Sequence, residues 1–153
     1  MGLFARLMYR ALVWKERQRA RIGDRPGISG SSVGTTHLDT GRRGETLAYW
    51  YLRQAGYTIV ARNRRWPDGE LDLVGWDGPV LAFVEVKTRT SDVAGPPEAA
   101  VDFGKQKRII KAANEYMRRL PRKSLTYRYD ITSVAWDAKE GFQVRLIKDA
   151  FKE

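Results

Sequence analysis

The sequence predicts an α/β domain in which one sheet is flanked by helices, in the order α-β-β-β-α-β-β, with an extra amphipathic helix in front. Three observations predict it. Five short segments after residue 56 read as strands, each bounded by turn or loop residues. Three longer segments carry apolar residues at helical spacing. Of the 153 residues, 42% are hydrophobic and 30% charged, which supplies a core and excludes wholesale disorder.

Leu3, Phe4, Leu7, Met8, Ala11 and Leu12 place an amphipathic helix over residues 3–20, and Arg6, Arg10, Arg17, Arg19 and Arg21 make it basic. Residues 1–25 hold seven Arg/Lys against two Asp/Glu, half of the net charge of +10. Such an arm either contacts nucleic acid, anionic lipid or a protein partner, or docks over an apolar patch of its own domain. Residues 23–41 are rich in Gly, Ser and Thr and read as a linker; His37 lies in it and is assigned no role. The chain therefore divides near residue 40, into a basic helix with a Gly/Ser-rich linker over 1–40 and a folded domain over 41–153.

Leu47, Ala48, Tyr51, Leu52 and Ala55 set a helix over 41–55, capped from Asp39 or Thr40 and closed by Gly56. Strands follow at 57–63, at 69–75 and, after an Asp77-Gly78-Pro79 turn, at 80–88. A loop over 90–97 leads to a helix over about 98–120 that keeps Ile109, Ala113, Tyr116, Met117 and Leu120 on one side. Strands at 126–136 and 141–147 complete the order.

The chain has no cysteine and one histidine. That excludes a disulfide framework, a thiolate zinc site and a cysteine nucleophile, and leaves little room for a Ser-His-Asp triad. A metal would sit among oxygens, which favours Mg²⁺ or Mn²⁺. No apolar run reaches the ~18 residues of a spanning helix. Arg6 and Arg10 break any signal-peptide core, and Arg6 stands where a myristoylation site needs Ser or Thr. A cytoplasmic protein is expected. The positive charge points to nucleic acid, to an anionic surface, or to solubility alone.

The informative stretch is Glu70-Leu71-Asp72-Leu73 followed by Val84-Glu85-Val86-Lys87. Residues two apart on a strand share a face, so Glu85 and Lys87 point one way and Val84 and Val86 the other. An even-numbered loop around 77–80 sets Asp72 opposite Glu85, and a two-residue Asp77-Gly78 loop sets it opposite Phe83. Either register puts Asp72 and Glu85 on one side of the hairpin, whereas a three-residue loop would separate them. Two carboxylates held together repel unless a cation lies between them, and oxygen ligands on neighbouring strands suit Mg²⁺. Lys87 supplies positive charge for a phosphate or a water, so the parts for phosphodiester hydrolysis are present. The competing reading is a cross-strand ion pair. Glu45 is the third acid: its helical position permits it to reach the sheet, but a first-turn acid also simply complements the helix dipole.

The long helix carries Lys107, Arg108, Lys111, Arg118, Arg119 and Arg122 on its outer arc, and Arg42, Arg43, Arg62, Arg64, Arg65 and Arg89 add charge nearer the proposed site. Lys105 falls near the apolar boundary and so toward the site. The candidate nucleic-acid contacts are Arg42, Arg43, Arg64, Arg65, Arg89, Lys105, Lys107 and Lys111. The alternative is an ordinary solvated face. Trp66 reads as a partly buried core residue rather than a platform for a base.

Asp72 followed by Glu85-Val86-Lys87 resembles the PD-(D/E)xK motif of restriction-endonuclease-like nucleases. Its spacing and the helical Glu45 are similar to archaeal Holliday-junction resolvases. More closely, residues 41–136 resemble the YraN-like family of small bacterial proteins. The matches are Gly44-Glu45 with Ala48 and Leu52, Gly56-Tyr57, Arg62-Asn63, Gly69-Glu70-Leu71-Asp72-Leu73, Phe83-Val84-Glu85-Val86-Lys87-Thr88-Arg89, Ala100-Val101 with Lys105, and Arg128-Tyr129-Asp130. Glu70-Leu71 stands where the motif has Pro, and Ile110 follows Gln106 where a RecB-like Q-x-x-x-Y motif has Tyr. The resemblance implies a mixed sheet between helices, with Glu45, Asp72, Glu85 and Lys87 in the catalytic positions. It also implies that Glu45, Asp72, Glu85 and the Val86 carbonyl are metal ligands or hold those ligands, with Mg²⁺ or Mn²⁺ as cofactor. DNA, including branched DNA, is the implied substrate and a homodimer the implied assembly; the alternative is a nucleic-acid-binding module that keeps the nuclease fold without its activity.

Overall fold

The computed structural model describes residues 2–21, 33–89, 101–121, 125–136 and 142–153. In chain order the elements are α1 (Gly2–Arg21), α2 (Val33–Gln54), β1 (Thr58–Trp66), β2 (Gly69–Asp77), β3 (Val80–Arg89), α3 (Phe103–Arg118), β4 (Tyr127–Ala135) and β5 (Gln143–Phe151). The order is the expected one. The five strands form one sheet in the order β1-β2-β3-β4-β5. All neighbours are antiparallel except β3 and β4, which run parallel and are joined through α3. The sheet is therefore mixed, as the resemblance implied.

Alternation along the strands builds two cores. Leu81 and Phe83 of β3 and Tyr129 and Ile131 of β4 pack with Ile109, Ala112 and Ala113 of α3. Ala82 and Val84 of β3, Leu73 of β2 and Val134 of β4 pack with Leu47, Ala48 and Leu52 of α2. The result is three layers, with α2 on one face and α3 on the other. α1 lies on the α2 side, where Tyr9, Leu12 and Val13 join the second core. Its inner face thus docks on its own domain. Among the described residues, no helix is long and apolar enough to cross a membrane.

Two expectations need correction. The segment read as linker over 23–41 is helical from residue 33 onward; residues 22–32 lie outside the described ones. Neither Asp39 nor Thr40 caps α2, because both lie inside it. Glycine and threonine lower helix propensity, but tertiary contact outweighs so weak a preference. Here Thr40 is buried, and Arg43 pairs with Asp39 on its own helix at 3.9 Å and with the buried Glu16 of α1. The end of α2 is as expected: the amide N–H of Tyr57 donates to Leu52 O at 3.0 Å and that of Gly56 to Arg53 O at 3.3 Å, a Schellman closure. The last strand runs to Phe151, four residues past the expected limit. The loop over 90–97, residues 98–100 of the expected long helix and Arg122 lie outside the described residues; α3 is capped by Asp102, whose Oδ1 accepts from Lys105 N at 2.8 Å.

The far end of the sheet is fastened by a polar network. Asp130 is completely buried and accepts from Arg128 Nε at 2.8 Å, from the Tyr57 hydroxyl at 2.9 Å and from Asp149 N at 2.9 Å. Asp77 accepts from Arg128 at 2.6 Å and Lys148 at 2.7 Å, and these two cations hold its carboxyl below the usual range. Asp149 takes a positive φ of 52° beside the register shift between β4 and β5, which turns its amide toward Asp130.

α2 sits against β3 at Gly44, where a Cβ would collide with Thr88 Oγ1. Gly44→Ala should therefore cost about 1–3 kcal/mol through this overpacking. Urea denaturation of Gly44→Ala, Thr88→Ala and the double variant measures it, and Thr88→Ala should recover part of the loss in the double variant.

Candidate functional site

The β2–β3 hairpin places the acids. Asp77 pairs with Val80, so the loop is Gly78-Pro79, with Gly78 at φ 58° and Pro79 locked near −65° by its ring. This is the even-numbered loop of the two alternatives. The ladder ends at Leu73 opposite Val84, and one step further Asp72 stands opposite Glu85. There the Asp72 side chain replaces the ladder: its Oδ2 accepts from Val86 N at 2.8 Å. Both carboxylates point to the α3 side of the sheet, within reach of one another.

Glu85 is 3% exposed in the central strand, and such a charge needs compensation. Lys87 Nζ lies 3.1 Å and Lys105 Nζ 3.3 Å from Glu85 Oε1. Lys105, from the first turn of α3, also reaches Glu70 Oε1 at 3.2 Å. Burial alone would lower the Lys105 pKa, but the carboxylates of Glu85, Glu70 and Asp72 outweigh it and the net shift is upward. Glu85 Oε2 is buried and finds no hydrogen-bond partner among the described residues. Burial, followed by the Glu85 charge, pushes the Asp72 carboxyl up to about 7, against the opposing help of the Val86 amide and Lys105.

The structure therefore brings Asp72, Glu85, Lys87 and Lys105 together, with the Val86 amide holding Asp72. Glu45 arrives from α2, on the other face of the sheet, and its carboxylate accepts from Asn63 Nδ2 at 3.2 Å. Asn63 stands between the pairs Arg62↔Leu73 and Arg64↔Leu71, at the position opposite Asp72, and has a positive φ of 47°. Glu45 thus reaches the sheet one strand away from Asp72. It lies in mid-helix, so the first-turn dipole reading of Glu45 falls with the earlier start of α2. Among the described residues, no three acidic or histidine side chains gather closely enough to hold a metal ion.

The basic candidates separate into two groups. Arg43 is turned inward, paired with Glu16 and lying 5.7 Å over the Trp136 ring. Arg89 is half-buried at the end of β3. Arg42, Arg64, Arg65, Lys107 and Lys111 are exposed. Arg65, Arg108 and Lys111, with Asp68 among them, line a cleft of about 480 Å³ that reaches Glu70 and Lys105, the cluster's outermost pair. Trp66 is half-buried on the α3 core, as its core reading required, with Arg119 5.9 Å over its ring.

Sequence reasoning missed the part played by Glu70 and Asn63. Glu70 shares its face with Asp72, and that periodicity was its signal; its partner Lys105 lies 35 residues away. Asn63 carries a weaker signal, as asparagine tolerates a left-handed backbone. Two carboxylates meet at Asp72 and Glu85, oxygen donors of the kind a hard cation takes, and Glu85 Oε2 is left without a hydrogen-bond partner among the described residues.

Fold and site together define a three-layer α/β protein with a buried carboxylate–lysine cluster opening into a basic cleft. The family model for the uncharacterised protein family UPF0102 matches residues 44–134, and the chain belongs to that family. This is the YraN-like family that the motifs resembled. A UPF0102 protein of Koribacter versatilis (strain Ellin345) is 47% identical over 117 residues, spanning 75% of this chain and 80% of the relative. One of Solibacter usitatus (strain Ellin6076) is 50% identical over 113 residues, spanning 72% and 84%. One of Syntrophus aciditrophicus (strain SB) is 42% identical over 118 residues, spanning 77% and 92%.

The Asp72 carboxyl makes stability pH-dependent. Its folded pKa of about 7 lies above the ordinary 3.8, so the folded state keeps a proton that the unfolded chain releases. Its contribution is complete below pH 4 and is lost as pH rises through 7. Asp72→Asn keeps an acceptor for Val86 N–H and offers a donor to Glu85. In metal-free buffer its unfolding midpoint should exceed the wild type's at pH 8, and the gap should close toward pH 4. Thermal denaturation across that range measures it.

Proposed function

We propose that this chain is a nucleic-acid-binding protein of the PD-(D/E)xK type that hydrolyses phosphodiester bonds in DNA with Mg²⁺ or Mn²⁺, branched DNA included. The observation that carries this reading is the meeting of Asp72 and Glu85 on one face, with Lys87 beside them and an oxygen of Glu85 left unpaired. The motif resemblance and the basic cleft at the same cluster support it.

Asp72 and Glu85 would hold the metal, with the Val86 carbonyl and Glu45 as the further groups that the resemblance assigns. A bound divalent cation supplies charge for the transition state and acidifies a water. Asp72 is kept in place by the Val86 amide, which fixes one oxygen and leaves the other toward Glu85. Lys87 sets its ammonium on the rim of the pair, where it orients a water and meets negative charge on a phosphate oxygen. Arg65, Arg108 and Lys111 bind the neighbouring phosphates along the cleft. Two copies, as the resolvase resemblance implies, would address both arms of a branched duplex in the cytoplasm.

A second reading has its own observation. Lys105 already places a cation between Glu70 and Glu85, and Glu45 is engaged by Asn63. A cluster neutralised in this way fits a module that binds nucleic acid without cutting it.

Purified protein is mixed with branched, nicked and single-stranded DNA in Mg²⁺ or Mn²⁺. Cleavage should fall about a hundredfold or more in Asp72→Ala and in Lys87→Ala. Mg²⁺ should raise the wild type's melting temperature at pH 8 and leave that of Asp72→Ala unchanged. Equal cleavage by Asp72→Ala would overturn the catalytic reading. Salt-dependent DNA binding that survives Asp72→Ala, with no heat of Mg²⁺ binding and no cleavage, would establish the second one.

A further inference from the structure

α1 has two apolar faces, and its own domain covers one of them. Ala5 is 2% exposed, and Tyr9, Leu12 and Val13 pack on the α2 core. Leu3, Phe4, Leu7 and Trp14 are 74%, 59%, 56% and 65% exposed. At 100° per residue, Leu3, Leu7 and Trp14 fall within one narrow stripe opposite Ala5, and Phe4 lies about 60° beyond it, its ring edge-on to Trp50 of α2 at 5.8 Å. Arg6, Arg10, Arg17 and Arg21 run along one edge of this stripe and Lys15 lies on the other. All five are exposed. The only acid of the helix, Glu16, is buried and faces Arg43 and Arg19.

We infer that the outer face of α1 is a membrane-interface surface, which lays the protein on an anionic lipid bilayer. The chemistry of the face selects this occupant. Exposed leucine, phenylalanine and tryptophan on a convex helix gain free energy by entering the acyl boundary. Tryptophan is suited to that depth, since its ring is apolar and its N–H stays wet. The flanking arginines can extend their stems to meet lipid phosphates. A nucleic acid would engage the arginines and leave the leucines in water. A second copy of the chain would set four arginines against four like charges. The helix is docked by its other face, so it lies along the surface and does not cross. The inference is independent of the chemistry at Asp72 and Glu85.

The test is co-sedimentation of the full chain with phosphatidylcholine vesicles, with and without phosphatidylglycerol. The protein should partition to the phosphatidylglycerol vesicles alone, and less so as salt rises. Leu7→Ser with Trp14→Ser, and separately Arg10→Gln with Arg17→Gln, should each reduce partition about fivefold or more. These side chains are exposed, and unchanged melting temperatures would confirm that the variants fold. Absence of binding to anionic vesicles overturns the proposal. So does binding that persists in Leu7→Ser/Trp14→Ser and disappears in Lys107→Gln/Lys111→Gln, which would make the α3 charges the contact. A wild-type dimer that Leu7→Ser/Trp14→Ser converts to monomer would assign the face to a second copy and overturn it equally.

Discussion

The whole arrangement depends on a carboxylate at the middle of the sheet. Glu85 sits on the central strand with its side chain inside the α3 layer, where an unpaired charge is prohibitively costly. Two ammonium groups answer it. Lys87 comes from the same strand two residues on, as alternation dictates. Lys105 must come from α3, and so the first turn of that helix is held over β2 and β3. The close approach of α3 at the start of β2 agrees with this demand: a Cβ at Gly69 would strike the backbone oxygen of Arg108. Asp72 is buried in the same space beside the Glu85 charge, and burial first and that charge second raise its pKa.

The opposite face of the sheet shows what a purely structural network looks like. Asp130 is as buried as Glu85, yet both of its oxygens are met by donors from Arg128, Tyr57 and Asp149. Nothing is left over for a ligand, and removal of any partner would strand the others. At Glu85 one oxygen has two cations and the other has no partner. Equal burial with unequal satisfaction distinguishes the two clusters. A fold selected for stability alone gains nothing from the second arrangement.

Much of this was legible in the sequence because it rests on short-range geometry. The spacing leaves two hairpin registers open, but both put Asp72 and Glu85 on one side, so their shared face could be read from alternation alone. The start of α2 could not. Val33-Gly34-Thr35-Thr36 has the composition of a loop, so propensity carries no signal for a helix there. Glu45 was misread as a first-turn acid for the same reason. Glu70 and Arg43 illustrate a second limit. Their partners, Lys105 and Glu16, lie 35 and 27 residues away, and pattern within a window does not reveal such pairs. The mixed character of the sheet entered only through resemblance, since a parallel β3–β4 pair leaves no local signature distinct from an antiparallel one.

The net charge of +10 resolves into populations with different work. Arg43, Lys87, Lys105 and Arg128 are spent inside the fold, each on a buried or half-buried carboxylate. Among the described residues, two stretches of exposed charge stand apart from each other. One lies around α3 and the β1–β2 turn, where it borders Glu70 and Lys105 of the carboxylate cluster and includes the exposed Phe103, with Lys107 Nζ 4.4 Å over its ring. The other lies along α1, where it borders leucine, phenylalanine and tryptophan. A polyanion such as DNA satisfies the first setting, because phosphates need cations and little else. The second calls for a surface that is anionic at its face and apolar beneath. The two cationic regions sit on opposite layers of the sheet, α3 on one side and α1 with α2 on the other. The proposed nucleic-acid contact and the proposed lipid contact therefore lie on opposite faces, and occupancy of one would leave the other open.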